Sequence, residues 1–537
     1  MVTIGSRDAV TDLPQESSVV MHRNQTTLVN RRLGPRDALI ADLLFLRAAL
    51  VAGEIQFLLV RSDDDRPVIA IDVSHREAAL SAIQASSLGE PLYAKPVGSR
   101  SGKGVFAQAD ESSTAKKRVR KESSRKGRRA MLVSDAAFTT VVDVDALMIF
   151  RPRIEPNGAL RFGATNGVRV EFWTYGQAAI VTPRENALTR RTIMRSDVVE
   201  TQIQKYGVGW RTIEGMFDPM PGDIGFPIDM VFSWVDGADL DFQRARAARM
   251  EGYQVGEGDD HEARFRQLDE LRYALRSVYL FAPWVRRIFI VTDSPRPGWL
   301  RDHPSVTIMR SEDFFSDPTV LPTHNSQAVE SQLHHIPGLA EHFLYSNDDM
   351  FFGRPITPDM FFTAGGVSKF VEATTRIGLG SATAQRSGFE NSARVNRTLL
   401  HDRYGVRITR HLEHCAAPLR VSVLSELNRE FPEDFARTAA SAFRASTDIS
   451  VTNSLYHYFA LHTGRAVRQT KARVTYVDTT MVVGLRAMDK LLRSRSQDMF
   501  CLNDGSFPEI SSEVRSQAVQ SFLDRYFAIP APWEIIS

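Results

Sequence analysis

Four short apolar runs, each leading into acidic side chains, constrain this chain more than any other feature. Ile228 to Trp234 leads into Asp236, Val285 to Thr292 into Asp293, Val306 to Met309 into Asp313, and Phe343 to Ser346 through Asn347 into Asp348 and Asp349. Runs of this length, rich in Ile, Val and Phe and without polar alternation, read as strands buried on both faces. Helical patterns separate them. One begins near Arg264, places Leu268, Leu271, Leu275 and Val278 on one face, and is ended by Pro283 and Trp284; another runs from Gln327 to His335. Strands alternating with helices predict an α/β, Rossmann-like unit with a mainly parallel sheet and helices on both faces. In such sheets ligands bind outside the carboxyl ends of the strands, where these acids stand.

The rest of the chain divides by pattern. A length of 537 residues exceeds one compact core. Residues 1–33 read as a polar leader and 34–97 as a small α+β unit: a helix from Ala38 to Val51 interrupted by Asp42 and Arg47, strands near 55–60 and 67–73, a helix over 74–86, and a strand near Tyr93. Residues 98–130 read as a basic linker, because Lys116 to Arg129 holds nine basic residues against the single acid Glu122. Such a run suits solvent or an anionic membrane surface. Residues 131–226 look β-rich, with Asn-Gly turn signals at 157–158 and 166–167. The predicted catalytic unit spans 227–483, and 484–537 reads as a helical extension.

Composition narrows the function classes. A formal net charge of +2 makes no electrostatic case for nucleic acid. Two cysteines, Cys415 and Cys501, are too few for a disulfide framework and favour a reducing compartment. No run approaches the ~18 apolar residues of a membrane span, and the N-terminus lacks a signal-peptide pattern. A cytoplasmic protein is expected, with peripheral contact at the inner membrane face through the basic run.

Clustered carboxylates at strand ends suit a substrate carrying a diphosphate. A hard divalent cation, Mg²⁺ or Mn²⁺, is held by one or two carboxylates together with substrate phosphates. Asp348 and Asp349 can provide that site only if the chain turns between them, since neighbouring strand residues point to opposite faces. A strand-end turn or helix cap is the competing reading of the pair. Arg272 and Arg276 lie four apart on one helix side, next to Asp269, where they face either a phosphate or an ion-pair network. Arg444 sits in a small polar run before Asp448. His334, His335, His411 and His414 are candidate acid–base groups. The His411 and His414 spacing lacks the further ligands of a zinc site.

Taken in order, these residues become recognisable. The blocks are Ile228-Asp-Met-Val-Phe-Ser-Trp-Val-Asp-Gly237; Asp269-Glu-Leu-Arg-Tyr-Ala-Leu-Arg-Ser277 through Asn347-Asp-Asp-Met-Phe-Phe-Gly353; His414 with Glu426 to Phe435; and Phe443-Arg-Ala-Ser-Thr-Asp448. The segment 227–478 resembles the Stealth family of sugar-phosphate transferases, most of all the actinobacterial exopolysaccharide phosphotransferases. The resemblance implies transfer of a sugar 1-phosphate from a nucleotide diphosphate sugar to a hydroxyl of a polysaccharide acceptor, with a nucleoside monophosphate leaving. It implies catalytic roles for Asp236, Asp349, His414 and Arg444. It implies substrate contacts from Asp269, Arg272, Glu330, His334, Asn347 and Asp448, and metal binding by Asp348 and Asp349. Leu268, His324 and the Cys415-Ala416 pair depart from the family's usual residues, which bears on sugar and acceptor choice. Two other readings remain open: a metal-dependent glycosyltransferase that releases a nucleoside diphosphate, and a non-catalytic glycan-binding protein.

Overall fold

The computed structural model describes residues 18–62, 66–97, 130–139, 144–239, 243–244, 247, 268–505 and 508–535. The basic run from Lys116 to Arg129, and Arg264 to Arg266, lie outside the described residues. The chain forms two compact units, 6–219 and 220–537.

In the N-terminal unit, residues that look separate in sequence share one sheet. Pro67–Asp72 pairs in parallel with Val168–Tyr175, and Tyr93–Pro96 pairs antiparallel with Ala146–Phe150, within an eight-stranded sheet. The helix Pro35–Ala52 contributes Leu43, Leu46 and Leu50 to the core beneath it. Asp42 on that helix is buried rather than on a wet face. It accepts from the backbone N–H of Arg151 at 3.0 Å, Arg151 Nε at 2.8 Å, and Arg153 Nη1 and Nη2 at 3.1 and 2.8 Å. The two Asn-Gly signals resolve differently. Gly158, at φ +75°, turns the hairpin between Arg153–Ile154 and Arg161–Phe162. Gly167 makes no hairpin: it follows a 3₁₀ turn at Ala164–Asn166 that leads into a strand of another sheet. A Cβ there would lie 2.8 Å from the Ile149 carbonyl oxygen, so close packing explains this glycine.

The C-terminal unit is built on a five-stranded sheet. Ile288–Val291 lies between Val306–Met309 and Ile228–Ser233, and His342–Asn347 follows on the other side of Ile228–Ser233. These four strands are parallel. The fifth, Ala417–Arg420, runs antiparallel beside His342–Asn347. Four of the five strands of this sheet are parallel, whereas the unit as a whole is mixed: further antiparallel pairing joins Met350–Phe352 to Met499–Asn503. An antiparallel edge strand on an otherwise parallel sheet is a common finish to such sheets.

Both faces of the central sheet are covered. Val231, Phe289, Val291, Phe343 and Tyr345 join one apolar cluster with Leu424, Leu427 and Phe459. The alternating Met230, Phe232, Ile288, Ile290 and Leu344 are buried outside that cluster. The strand starts are braced by the fully buried Asp229. It accepts from Arg286 Nε at 2.8 Å, and from the backbone N–H groups of Ala340 at 2.8 Å and Arg287 at 3.2 Å. Residues 484–537 are not an appendage: Met499–Asn503 is the middle strand of a three-stranded sheet, and Tyr526 donates to the Gly353 carbonyl at 2.8 Å.

Candidate active site

The strand-end acids fall into two groups. Asp293 is a turn-maker, accepting from the N–H and hydroxyl of Ser311 at 2.8 and 2.7 Å. Asp313 closes a 3₁₀ turn by accepting from the Arg310 N–H at 2.9 Å. Asp236 also shapes its loop: Oδ1 accepts from the Ala238 N–H at 3.0 Å, and its own N–H donates to Ser294 Oγ at 2.9 Å. Asp348 and Asp349 are different. The chain turns at this pair, between His342–Asn347 and Met350–Phe352, so both carboxylates stay together.

Burial pushes the Asp348 carboxyl well above the usual carboxylate range, and the charges of Asp349 and Glu270 push it the same way. Burial also raises Asp349, but the neighbouring His414 and hydrogen bonds from Cys501 and Asn503 pull it back. Asp349 Oδ2 accepts from Cys501 Sγ at 3.3 Å and from Asn503 Nδ2 at 3.2 Å. Its Oδ1 is buried with no hydrogen-bond partner among the described residues. A buried, unpartnered carboxylate oxygen beside a second carboxylate fits a hard divalent cation. Among the described residues no group of three or more His, Cys, Asp or Glu converges as a metal cage. The donor set therefore suits an ion completed by substrate phosphates rather than one enclosed by protein.

Two downstream segments meet at the start of the helix Gly388–Tyr404. His414 packs on Phe389, ring centroids 6.0 Å apart, and on Tyr476 at 5.2 Å. Arg444 lies on Gly388, where an added Cβ would meet Arg444 Cβ at 2.7 Å and Cδ at 2.8 Å. Arg444 Nη2 donates to Ser326 Oγ at 2.9 Å. Asn325, capping the helix Ser326–Gln332, ties the Arg444 loop to it by donating to Asp448 Oδ2 at 2.8 Å. Asp448 in turn accepts from the Ala445 N–H at 2.8 Å and from Ser441 Oγ at 2.7 Å, and it is fully buried.

The remaining predicted residues sort by contact. Glu330 is buried, accepts from the Thr452 hydroxyl at 2.6 Å, and is raised in pKa by burial, with Arg444 opposing the rise. Arg272 Nε donates to Glu534 Oε2 at 2.6 Å, and Arg276 binds the same carboxylate through Nε and Nη2, both at 2.7 Å. Both arginines thus pair with one buried carboxylate, 258 residues beyond Arg276. Asp269 is exposed at the helix start, with φ +56°. Asn347 is half-buried, paired in register with Ser233. His334 braces the interior: its Nε2 is 3.2 Å from Asn428 Nδ2, its ring lies 3.9 Å from His335, and burial lowers its pKa to about 3.

Cys501, Asn503, Tyr476, Gly388, Asn325 and Glu534 were not singled out from the sequence. The signal for two of them was the period of two in Met499–Asn503, which puts Cys501 and Asn503 on one face.

Comparison with known proteins shows the chain's family. Models of the Stealth protein conserved regions match residues 226–254 (region 1), 264–370 (region 2), 413–461 (region 3) and 489–537 (region 4). The block 443–448 lies in the third region, and the fourth lies beyond 478, where the likeness had been taken to stop. The chain is 54% identical over 519 residues to exopolysaccharide phosphotransferase CpsY of Mycobacterium tuberculosis strain H37Rv, covering 97% of this chain and 92% of that one. It is 50% identical over 505 residues to an exopolysaccharide phosphotransferase of Nocardia farcinica, covering 94% and 89%. Among solved structures, galactosyltransferase LgtC aligns at 13% identity over 56% of this chain and 96% of that chain, with a TM-score of 0.28, too loose a superposition to carry an argument. The matched regions contain Asp236, Asp348, Asp349, His414 and Arg444, and the chain belongs to the Stealth family as one of its exopolysaccharide phosphotransferases.

Proposed function

We propose that this phosphotransferase moves a sugar 1-phosphate from a nucleotide diphosphate sugar, a UDP-sugar in the first instance, to a hydroxyl of a growing polysaccharide. The observation that carries this reading is the Asp348–Asp349 turn, to which His414 is linked through Tyr476 and its strand neighbour Cys501. We read the surrounding fold as that of a nucleotide-sugar transferase of the GT-A kind, supported by four parallel strands whose carboxyl ends carry the acids. Asp348 and Asp349 would hold Mg²⁺ or Mn²⁺, which when bound neutralises the diphosphate.

The acceptor oxygen forms a bond to the β-phosphorus, and the bond from that phosphorus to the bridging oxygen breaks. The nucleoside monophosphate leaves with the bridging oxygen. His414 takes the acceptor proton, while Arg444, and Arg272 through its terminal nitrogens, face the charge on the transferring phosphoryl group. We assign acceptor handling to the first 226 residues, which lie ahead of the segment 227–478.

The decisive measurement is the nucleotide released when the enzyme is given a UDP-sugar and a glycan acceptor. UMP is expected; UDP would establish glycosyl transfer instead, and glycan binding without turnover would point to a non-catalytic role. His414→Ala and Arg444→Ala should each lower turnover roughly 10²-fold or more. Near-normal rates in His414→Ala would remove it as the base.

A further inference from the structure

We propose that Cys501 and Asn503 are positioning residues that fix Asp349 so that one of its oxygens, Oδ1, is presented to the ligand. The proposal rests on the reading above, in which Asp349 works at the reaction centre.

The arrangement begins in the backbone. Met499–Asn503 pairs antiparallel with Met350–Phe352, Cys501 lying opposite Met350. The Leu502 N–H donates to the Asp349 carbonyl at 2.9 Å, which sets the turn against this strand. Alternation then places residues 501 and 503 on one face, and both side chains donate to the same oxygen, Asp349 Oδ2, at 3.3 and 3.2 Å. A carboxylate rotates in a broad, two-fold well about its last torsion. Two donors converging on Oδ2 remove that freedom and distinguish the two oxygens. Oδ1 is left buried without a partner among the described residues, although nearly all buried polar atoms in folded proteins have one. A carboxylate loaded on one oxygen and bare on the other is prepared for a ligand at the bare one. Asp348 stands next to Asp349 in the same turn, and two adjacent carboxylates offering a bare oxygen form a donor set for a hard cation.

Cys501 is completely enclosed, so its thiol reaches nothing in solvent. Tyr476, opposite Cys501 in the parallel strand Val474–Asp478, also packs on His414. The three-stranded sheet therefore connects the residue assigned as base to the residue assigned to the cation.

The test uses the full chain and the variants Cys501→Ala, Cys501→Ser, Asn503→Ala and Asp349→Asn. Mn²⁺ is titrated in the presence of UDP and followed by electron paramagnetic resonance, so that binding is read without turnover. Nucleotide release gives kcat and the donor KM separately. Removing outer partners of a metal-binding group commonly lowers affinity or activity 10–100-fold. Cys501→Ala and Asn503→Ala should each weaken Mn²⁺ binding and lower kcat by about tenfold, leaving the donor KM within about twofold. Cys501→Ser, which restores a donor, should recover most of both losses.

Wild-type Mn²⁺ binding in both alanine variants would overturn the proposal. So would a serine variant as impaired as the alanine one, because filling rather than donating would then be the role of residue 501. Asn503→Ala, at a half-buried strand end, keeps the test open if Cys501→Ala does not fold. Full activity in Asp349→Asn would instead remove the active-site reading on which the proposal stands. An inactive Asp349→Asn with normal Cys501 and Asn503 variants would leave that reading intact and reject the positioning role.

Discussion

At the scale of single residues, the site depends on side chains that do no chemistry. Gly388 opens a helix where alanine would ordinarily be neutral or slightly stabilising. Here a Cβ would fall 2.7 Å from Arg444 Cβ, an atom too near the backbone to swing aside. Gly388→Ala should therefore lower kcat about tenfold while the thermal midpoint stays within a few degrees, a combination that separates displacement of Arg444 from unfolding. A variant with unchanged kcat would show that the Arg444 loop yields freely.

The same scale explains what the sequence made legible. An acid after an apolar run marks a strand end, but strand ends need turn-makers as much as they need ligands. Asp293 and Asp313 meet the first need by accepting backbone N–H groups, whereas Asp349 keeps an oxygen without a partner among the described residues. No spacing rule separates them, because the difference lies in which N–H groups the following loop turns inward.

At the scale of elements, the four parallel strands were legible because fully buried strands carry an uninterrupted apolar signature. Ala417–Arg420 was not: it is short, contains Pro418, and lies at the sheet edge, where the apolar signal is weakest. The starts of the strands depend on Asp229, whose carboxylate ties Arg286 and the N–H groups of Arg287 and Ala340 into one brace. Arg286 is about a third exposed, so losing Asp229 costs chiefly the buried N–H groups left without a partner, about 1–3 kcal/mol. Asp229→Ala should shift urea unfolding of the C-terminal unit by about that amount, and a shift below about 1 kcal/mol would show that water replaces the carboxylate. Asp42 in the N-terminal unit makes the parallel case. It looks like a break in an apolar helix, and Arg151 and Arg153, more than a hundred residues away, show that it is an internal anchor. Such partners are invisible to local periodicity.

At the scale of the whole molecule, buried histidines give the fold an acid dependence. His457 is fully buried between Phe370 and Tyr456, and burial lowers its pKa to about 3; His334 is lowered similarly. An unfolded histidine titrates near 6.5, so between pH 6.5 and about 3 the unfolded chain binds protons that the folded chain refuses. Stability from each such histidine is present above pH 6.5 and declines on acidification, by about 1.4 kcal/mol per pH unit. Glu330, Asp348 and Asp349, raised by burial, act in the opposite sense. The difference between wild type and His457→Phe isolates one histidine. From pH 6 to pH 5 the wild type should lose about 1.4 kcal/mol relative to the variant in urea unfolding, and parallel curves would contradict the assignment.

The long reach of Glu534 has a bearing on synthesis. Arg272 and Arg276 leave the ribosome some 260 residues before the carboxylate that holds them, and Asp349 precedes Cys501 by 152. A growing chain can complete its parallel strands and still lack the clamp and the donors that finish the site. On the proposed function, a chain that ends upstream of residue 501 lacks both and should release no nucleotide from a UDP-sugar.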